Sequence, residues 1–173
     1  GLAAGRWDYV GSLVTHFGLR EGFTVPQRDE IRSDSPFIRA FTDLLVSTCH
    51  RRGAQALGGL STAVVESAHL PVAEPHERER VYEDKLAEVS AGFDGTWIAH
   101  RSLIDVVRAA YGKARADRVA VPPAEVVATD RVDLTEQLLT VPAGEISEEG
   151  VRWNLRVCLH YINGWLRGVG SVG

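Results

Sequence analysis

The spacing of apolar positions changes several times along the chain, and each change marks an element. Residues 2–4 are small and apolar, as suits a parallel strand buried on both faces, and Gly5-Arg6 turns the chain out of it. Val10, Leu13, Val14 and Phe17 then recur at near-helical spacing, which predicts a short helix ending near Gly18. Residues 26–36 are polar, begin and end with Pro, and read as a loop. Ser35-Pro36 opens the next helix, with Phe37, Phe41, Leu44, Leu45 and Cys49 along one face. Residues 48–52 form its last turn, Gly53 supplies a C-cap, and residues 54–59 read as a second buried strand ending in a Gly58-Gly59 hinge.

The rhythm then repeats. Residues 69–77 are rich in Pro, Glu and His and read as a mobile loop, followed at 78–91 by a charged helix with Val81, Leu86 and Val89 on its core face. Residues 92–95 turn the chain, 96–99 form a third short strand, and 102–111 return as helix. Alternating helix and short buried strand is the rhythm of a parallel barrel, and residues 1–114 hold three such units of the eight in a TIM (β/α)8 barrel. Residues 115–144 change texture around Pro122-Pro123 and are read as a linker with a short helix at 134–139. Ser147 then caps a helix whose first turn holds Glu148 and Glu149. Val151, Leu155, Cys158, Leu159, Ile162 and Leu166 repeat at three and four up to Gly168, so residues 145–173 are expected to start a helical C-terminal domain. The expected fold class is thus α/β, part of a TIM barrel followed by a mostly helical segment.

Composition narrows this picture. The chain has 173 residues, whereas a complete α/β barrel takes about 250, so only part of a barrel is expected. Apolar residues make up 45% and charged residues 24%, as in an ordinary globular domain and unlike a disordered one. A net charge of −4 gives no footprint for nucleic acid. No apolar run approaches the roughly 18 residues of a membrane span, and no basic-then-apolar leader opens the chain, so a cytoplasmic location is expected. Cys49 and Cys158 lack CxxC spacing and read as reduced packing residues. Met is absent even at position 1, from which the sequence is expected to start within a longer protein.

Asp8 draws attention because the C-terminal end of a buried parallel strand is where barrel enzymes keep their sites; helix capping is its other reading. Trp97, at the end of the third strand, is read as core or as the wall of a site. Adjacent residues on a helix point about 100° apart, which argues against Cys49 and His50 acting as a thiol–imidazole pair. Arg51 and Arg52 suit a helix C-terminus, with a phosphate contact as the alternative. His16, His69, His76 and His160 have no ligand-like spacing. Residues 77–80 and 83–85 read as a solvated helix face with weak ion pairs.

Taken in order, five blocks carry a resemblance. They are Gly5-Arg6-Trp7-Asp8-Tyr9, Thr48-Cys49-His50-Arg51-Arg52-Gly53-Ala54, Gly58-Gly59, Asp94-Gly95-Thr96-Trp97-Ile98-Ala99-His100, and the stretch from Gly150-Val151-Arg152-Trp153-Asn154 to Gly168. Over nearly its whole length the chain resembles malate synthases of the A type, and the resemblance implies the middle to late part of that enzyme, with residues 1–114 the C-terminal portion of its TIM barrel. It implies Mg²⁺-dependent condensation of acetyl-CoA with glyoxylate, followed by thioester hydrolysis to malate and CoA, in the glyoxylate cycle. It also implies that Asp8 is a Mg²⁺ ligand, that its Glu partner falls before Gly1, and that Gly5, Arg6, Trp7 and Asp8 form a turn facing the glyoxylate carboxylate. Trp97 would wall the glyoxylate and acetyl pocket. The family's catalytic Arg and base Asp are expected outside this chain, and neither Asp94 nor Asp105 lies in the base motif.

The chain departs from the family pattern at Arg101, where Pro is usual, and at Leu60-Ser61-Thr62, where Met-Ala-Ala is usual. Two other readings stay open at this point. One is a related CoA-ester lyase, separable by malyl-CoA cleavage; the other is a non-catalytic interaction domain that binds neither Mg²⁺ nor acetyl-CoA. A partial barrel exposes strand edges, so the chain alone is expected to associate.

Overall fold

A computed structural model of the chain describes residues 1–61, 75–99, 101–117 and 131–169. Three short segments form its sheet: β1 (Leu2–Ala3), β2 (Ala56–Ser61) and β3 (Gly95–Ile98), in the order β1-β2-β3. Both pairings are parallel, with Leu2 opposite Ala56, Ala3 opposite Leu57, Leu57 opposite Gly95 and Leu60 opposite Trp97. Parallel neighbours need long crossovers, and helices supply them. Helices α1 (Arg6–Phe17) and α2 (Pro36–Arg51) lie between β1 and β2, and α3 (Pro75–Ser90) lies between β2 and β3. Helices α4 (Ile104–Asp117), α5 (Arg131–Leu139) and α6 (Glu148–Leu166) follow. No helix among the described residues is long and apolar enough to cross a membrane.

The core has three parts. Val10 and Leu13 of α1 pack with Ile31 and with Phe37 and Ile38 of α2. Leu45, Val46 and Cys49 of α2 pack with Ala56 of β2 and Phe93. Val81 of α3 packs with Leu103, flanked by Ile98, Val106 and Val107. Gly18 closes α1, and Gly53, with φ of +64°, follows α2, as the sequence leads one to expect.

Several expectations change. β1 is not buried on both faces: it is the sheet's edge strand, and Leu2 is 54% exposed, because only β2 flanks it among the described residues. α1 begins at Arg6, four residues ahead of Val10, the first apolar position of its expected stripe, so Asp8 lies inside its first turn. On α2 the buried stripe runs through Phe37, Ile38, Ala40, Leu45, Val46 and Cys49, while Leu44 is exposed. Residues 75–77 belong to α3; residues 69–74 of the expected loop lie outside the described residues. The solvated face expected at 83–85 fails at Lys85, which is completely buried. α4 runs on to Asp117, and α5 begins at Arg131 and packs along α2.

Candidate active-site rim

Parallel strands end on the same side, so the residues that follow β1, β2 and β3 share one edge of the sheet. Gly5 to Tyr9 leave β1 there, Gly58 to Ser61 complete β2 there, and Trp97 and Ile98 complete β3 there. Two strand spacings separate the first turn from the third, about 10 Å. The edge therefore places the Gly5–Asp8 turn and Trp97 on one rim, with Gly59 between them.

Gly5 is the N-cap residue of α1, and Asp8 is exposed in the first helical turn, where the macrodipole favours a carboxylate. Asp8 Oδ2 folds back over Gly5, so that any Cβ at position 5 would collide with it. A glycine at this turn lets the carboxylate lie over the helix end. Two cations lie over the Trp7 ring: the Arg28 guanidinium carbon stands 4.7 Å from its centroid and that of Arg6 stands 5.3 Å away. Arg6 Nη1 donates to Ser33 Oγ at 2.8 Å and lies 3.8 Å from Asp84 Oδ1 of α3. Ser33 Oγ donates in turn to Asp84 Oδ1 at 3.1 Å. Trp97 is 52% exposed on β3 and so is not a core residue. His100 lies outside the described residues.

Behind the rim, α3 sends two side chains to the Gly58-Gly59 segment. Lys85 Nζ donates to Gly59 O at 2.7 Å and to Glu88 Oε1 at 2.8 Å. Glu88 Oε1 also accepts from Gly59 N at 2.9 Å, and Thr96 Oγ1 donates to Gly59 O at 3.2 Å. Burial pushes the Glu88 carboxyl above the usual carboxylate range, against the opposing pull of the Lys85 ammonium. Its Oε2 is buried without a hydrogen-bond partner among the described residues and rests against Gly58, where any Cβ would collide with it. Sequence reading missed this pair. The signal was present: Lys85 lies four residues from both Val81 and Val89, on the stripe that α3 turns inward.

The remaining titratable candidates sit elsewhere. Asp94 Oδ2 accepts from Ala56 N at 2.8 Å and lies 3.0 Å from His50 Nε2, at the amino ends of β2 and β3, across the sheet from the rim. Cys49 is buried while its neighbour His50 is exposed. Asp105 accepts from Arg78 Nη2 at 2.6 Å; a backbone hydrogen bond from Val106, then this arginine, holds its carboxyl below the usual range. A shallow concavity on α6 is lined by Tyr161, Ile162, Trp165 and Val169, none of them a rim residue.

Among the described residues, no three His, Cys, Asp or Glu side chains lie together as a metal site would need. Asp8, an exposed carboxylate without an ion pair among those residues, is chemically suited to supply one oxygen donor to Mg²⁺. A full octahedral set requires donors beyond it.

The malate synthase TIM barrel domain matches residues 1–141. Malate synthase of Streptomyces clavuligerus is 40% identical over 99% of this chain and 32% of its own length. Glyoxysomal malate synthase of Glycine max is 39% identical over 99% of this chain and 30% of its own length. Malate synthase A of Escherichia coli (strain K12) is 36% identical, again over 99% of this chain and 32% of its own length. The chain thus spans about a third of the length of the curated relatives it matches. With a family match across most of its residues and a parallel sheet whose carboxyl edge gathers the glycine turn and Trp97, this chain belongs to the malate synthase TIM barrel family.

Proposed function

We propose that the natural polypeptide containing this chain condenses acetyl-CoA with glyoxylate and hydrolyses the thioester to malate and CoA. The observation that carries the reading is the family match over residues 1–141, joined to the common rim of the Gly5–Asp8 turn and Trp97. In this reading the three strands are an arc of a (β/α)8 barrel, and α6 opens a helical C-terminal region. The site then sits at the carboxyl edge, as in barrel enzymes generally.

Asp8 would contribute one carboxylate to a Mg²⁺ site, and the remaining donors would come from outside this chain, a Glu among them. Mg²⁺, when bound, supplies Lewis-acid polarisation of the glyoxylate aldehyde. Gly5 lets backbone N–H groups at the start of α1 approach the glyoxylate carboxylate, an anion favoured at that helix end. Trp7 is braced by Arg6 and Arg28 and walls the turn from one side. The exposed face of Trp97 excludes water from the acetyl methyl group, where a developing enolate needs a dry, apolar boundary. Asp94 and Asp105 are engaged by Ala56 N and Arg78 and do not serve as the base, which this reading places outside the chain together with the catalytic Arg.

The test is thiol release from acetyl-CoA by the natural polypeptide, with glyoxylate and Mg²⁺, and identification of malate. Asp8→Ala is expected to remove several kcal/mol of metal-assisted stabilisation, a rate loss of roughly a hundredfold or more. Near-normal Mg²⁺-dependent turnover in that variant would sink the metal assignment. Cleavage of malyl-CoA without condensation would redirect the reading to a CoA-ester lyase. Lack of Mg²⁺ and acetyl-CoA binding in calorimetry would leave a non-catalytic domain.

A further inference from the structure

β2 does not run in simple register along β3: the pairing shifts between Leu57 and Leu60, and the residues at the shift are Gly58 and Gly59. Backbone groups that leave a ladder need other partners when they are buried. Here side chains provide them. Glu88 Oε1 accepts from Gly59 N, and Lys85 Nζ and Thr96 Oγ1 donate to Gly59 O, so both peptide groups of Gly59 are held. Gly59 also stands beside Ala4, the residue that follows β1, where a Cβ would lie 3.6 Å from Ala4 O. One residue before Lys85, Asp84 receives Ser33 and lies 3.8 Å from Arg6, the second residue of the other rim turn.

We propose that Asp84, Lys85 and Glu88 form a positioning bracket on α3 that fixes both rim turns, the Gly58-Gly59 bulge directly and the Gly5–Asp8 turn through Arg6. None of the three is assigned contact with substrate. A bulge beside an active site re-aims the residues that follow it, here Leu60 and Ser61. Three features favour this role over simple stability. Burying an ion pair brings a desolvation cost that a well-packed apolar pair avoids, so the pair is poorly explained as a source of folding energy. Its hydrogen bonds also converge on a single residue of the rim, Gly59, and hold the peptide units on both sides of it. The absence of a side chain at 58 is what allows Glu88 to reach Gly59 N, since a Cβ on Gly58 would occupy the place of its carboxylate.

The consequence for turnover rests on the malate synthase reading, and the experiment separates the two. In the full natural polypeptide, Lys85→Met/Glu88→Leu replaces the pair with apolar side chains, whereas Glu88→Gln keeps an oxygen acceptor for Gly59 N–H. Hydrogen-exchange mass spectrometry on peptides covering residues 56–61 reports the bracket, with peptides covering 36–51 as the folding control. The double variant is expected to keep the control protection, to exchange at least about tenfold faster at 56–61, and to lose about a hundredfold in kcat/KM for glyoxylate, the scale of a small misplacement of reacting groups. The loss should fall on kcat more than on acetyl-CoA binding, and Glu88→Gln should recover most of it. A folded double variant with parental exchange at 56–61, or with faster exchange and parental kinetics, overturns the proposal. Should the double variant not fold, the same readouts on Glu88→Gln and Lys85→Met decide, and parental values in both overturn it. Absence of condensation by the parent protein would remove the malate synthase reading alone, because the exchange comparison still judges the bracket.

Discussion

Helices α2 and α6 are written in the same sequence code and end in opposite surroundings. Both repeat apolar residues at three and four, and both begin with a local start signal, Pro36 after Ser35 in one and Ser147 in the other. α2 buries Phe37, Ile38, Leu45, Val46 and Cys49 against α1, Ile31, β2 and Phe93. α6 leaves Val151, Leu155, Leu159, Ile162 and Leu166 exposed. It is fixed at its start by polar contacts: Ser147 Oγ accepts from Gly150 N at 3.1 Å, Gln27 Oε1 accepts from Ser147 Oγ at 2.7 Å, and Arg152 bridges back to Glu148 at 2.7 Å. Periodicity therefore specifies a face, and capping specifies a start, but burial depends on what the rest of the fold brings to that face.

The strongest way to break the contrast is to make one kind of deletion on each helix. Phe37→Ala is expected to lower unfolding free energy by about 3–5 kcal/mol, since Phe37 is completely buried. Leu159→Ala, at a position 66% exposed, is expected to stay within about 0.5 kcal/mol. Denaturant midpoints measure both, and a loss of several kcal/mol at Leu159 would mean that its face is covered in solution.

A second pair of variants sharpens the contrast between enclosed and open surroundings at fixed chemistry. Gly58→Ala drives a Cβ into the Glu88 carboxylate and should cost about 1–3 kcal/mol, as overpacking does. Gly11→Ala meets nothing within 4 Å on α1 and should stabilise by up to about 1 kcal/mol through helix propensity. Thermal melts of the two variants should move in opposite directions; equal shifts would argue against the Glu88 geometry.

The smallest expected effect is a pH dependence on the enclosed side. Tyr9 stacks on Phe41 of α2 at 4.7 Å between ring centroids and donates its hydroxyl to Leu138 O of α5. Burial pushes its pKa from 10.0 up to about 12. A pKa raised in the fold means that the neutral phenol is favoured there, so its contribution is complete below pH 10 and is lost as pH rises through about 12. Ultraviolet titration of phenolate, with Tyr9→Phe as the subtraction, should place Tyr9 near 12; a midpoint near 10 would show that the contact with α5 is open.

Much of the fold was legible because the local signals agreed with one another. Gly18 and Gly53 marked the ends of α1 and α2, Ser147 marked the start of α6, and short apolar runs marked β2 and β3. That Gly5-Arg6-Trp7-Asp8 and Trp97 lie at the carboxyl ends of parallel strands was legible as well, because each follows or ends a short apolar run. The bracket behind it was not. Lys85 and Glu88 sit among Glu83, Asp84 and other charged residues, so composition pointed outward, while the inward stripe of Val81 and Val89 passes through Lys85. Which tendency prevails is decided by Gly59, 26 residues away in sequence, because its unpaired peptide groups give the buried charges partners.

The amino-acid sequence by itself determined the elements, their caps and the residue types at the strand ends, since these follow from contacts within a few residues. Tertiary structure alone decided that β1 lies at an edge, that Lys85 is buried, and that Arg6 and Gly59 share one bracket on α3. Those outcomes depend on groups brought together from distant parts of the chain, where desolvation and hydrogen bonding are settled only once both partners are in place.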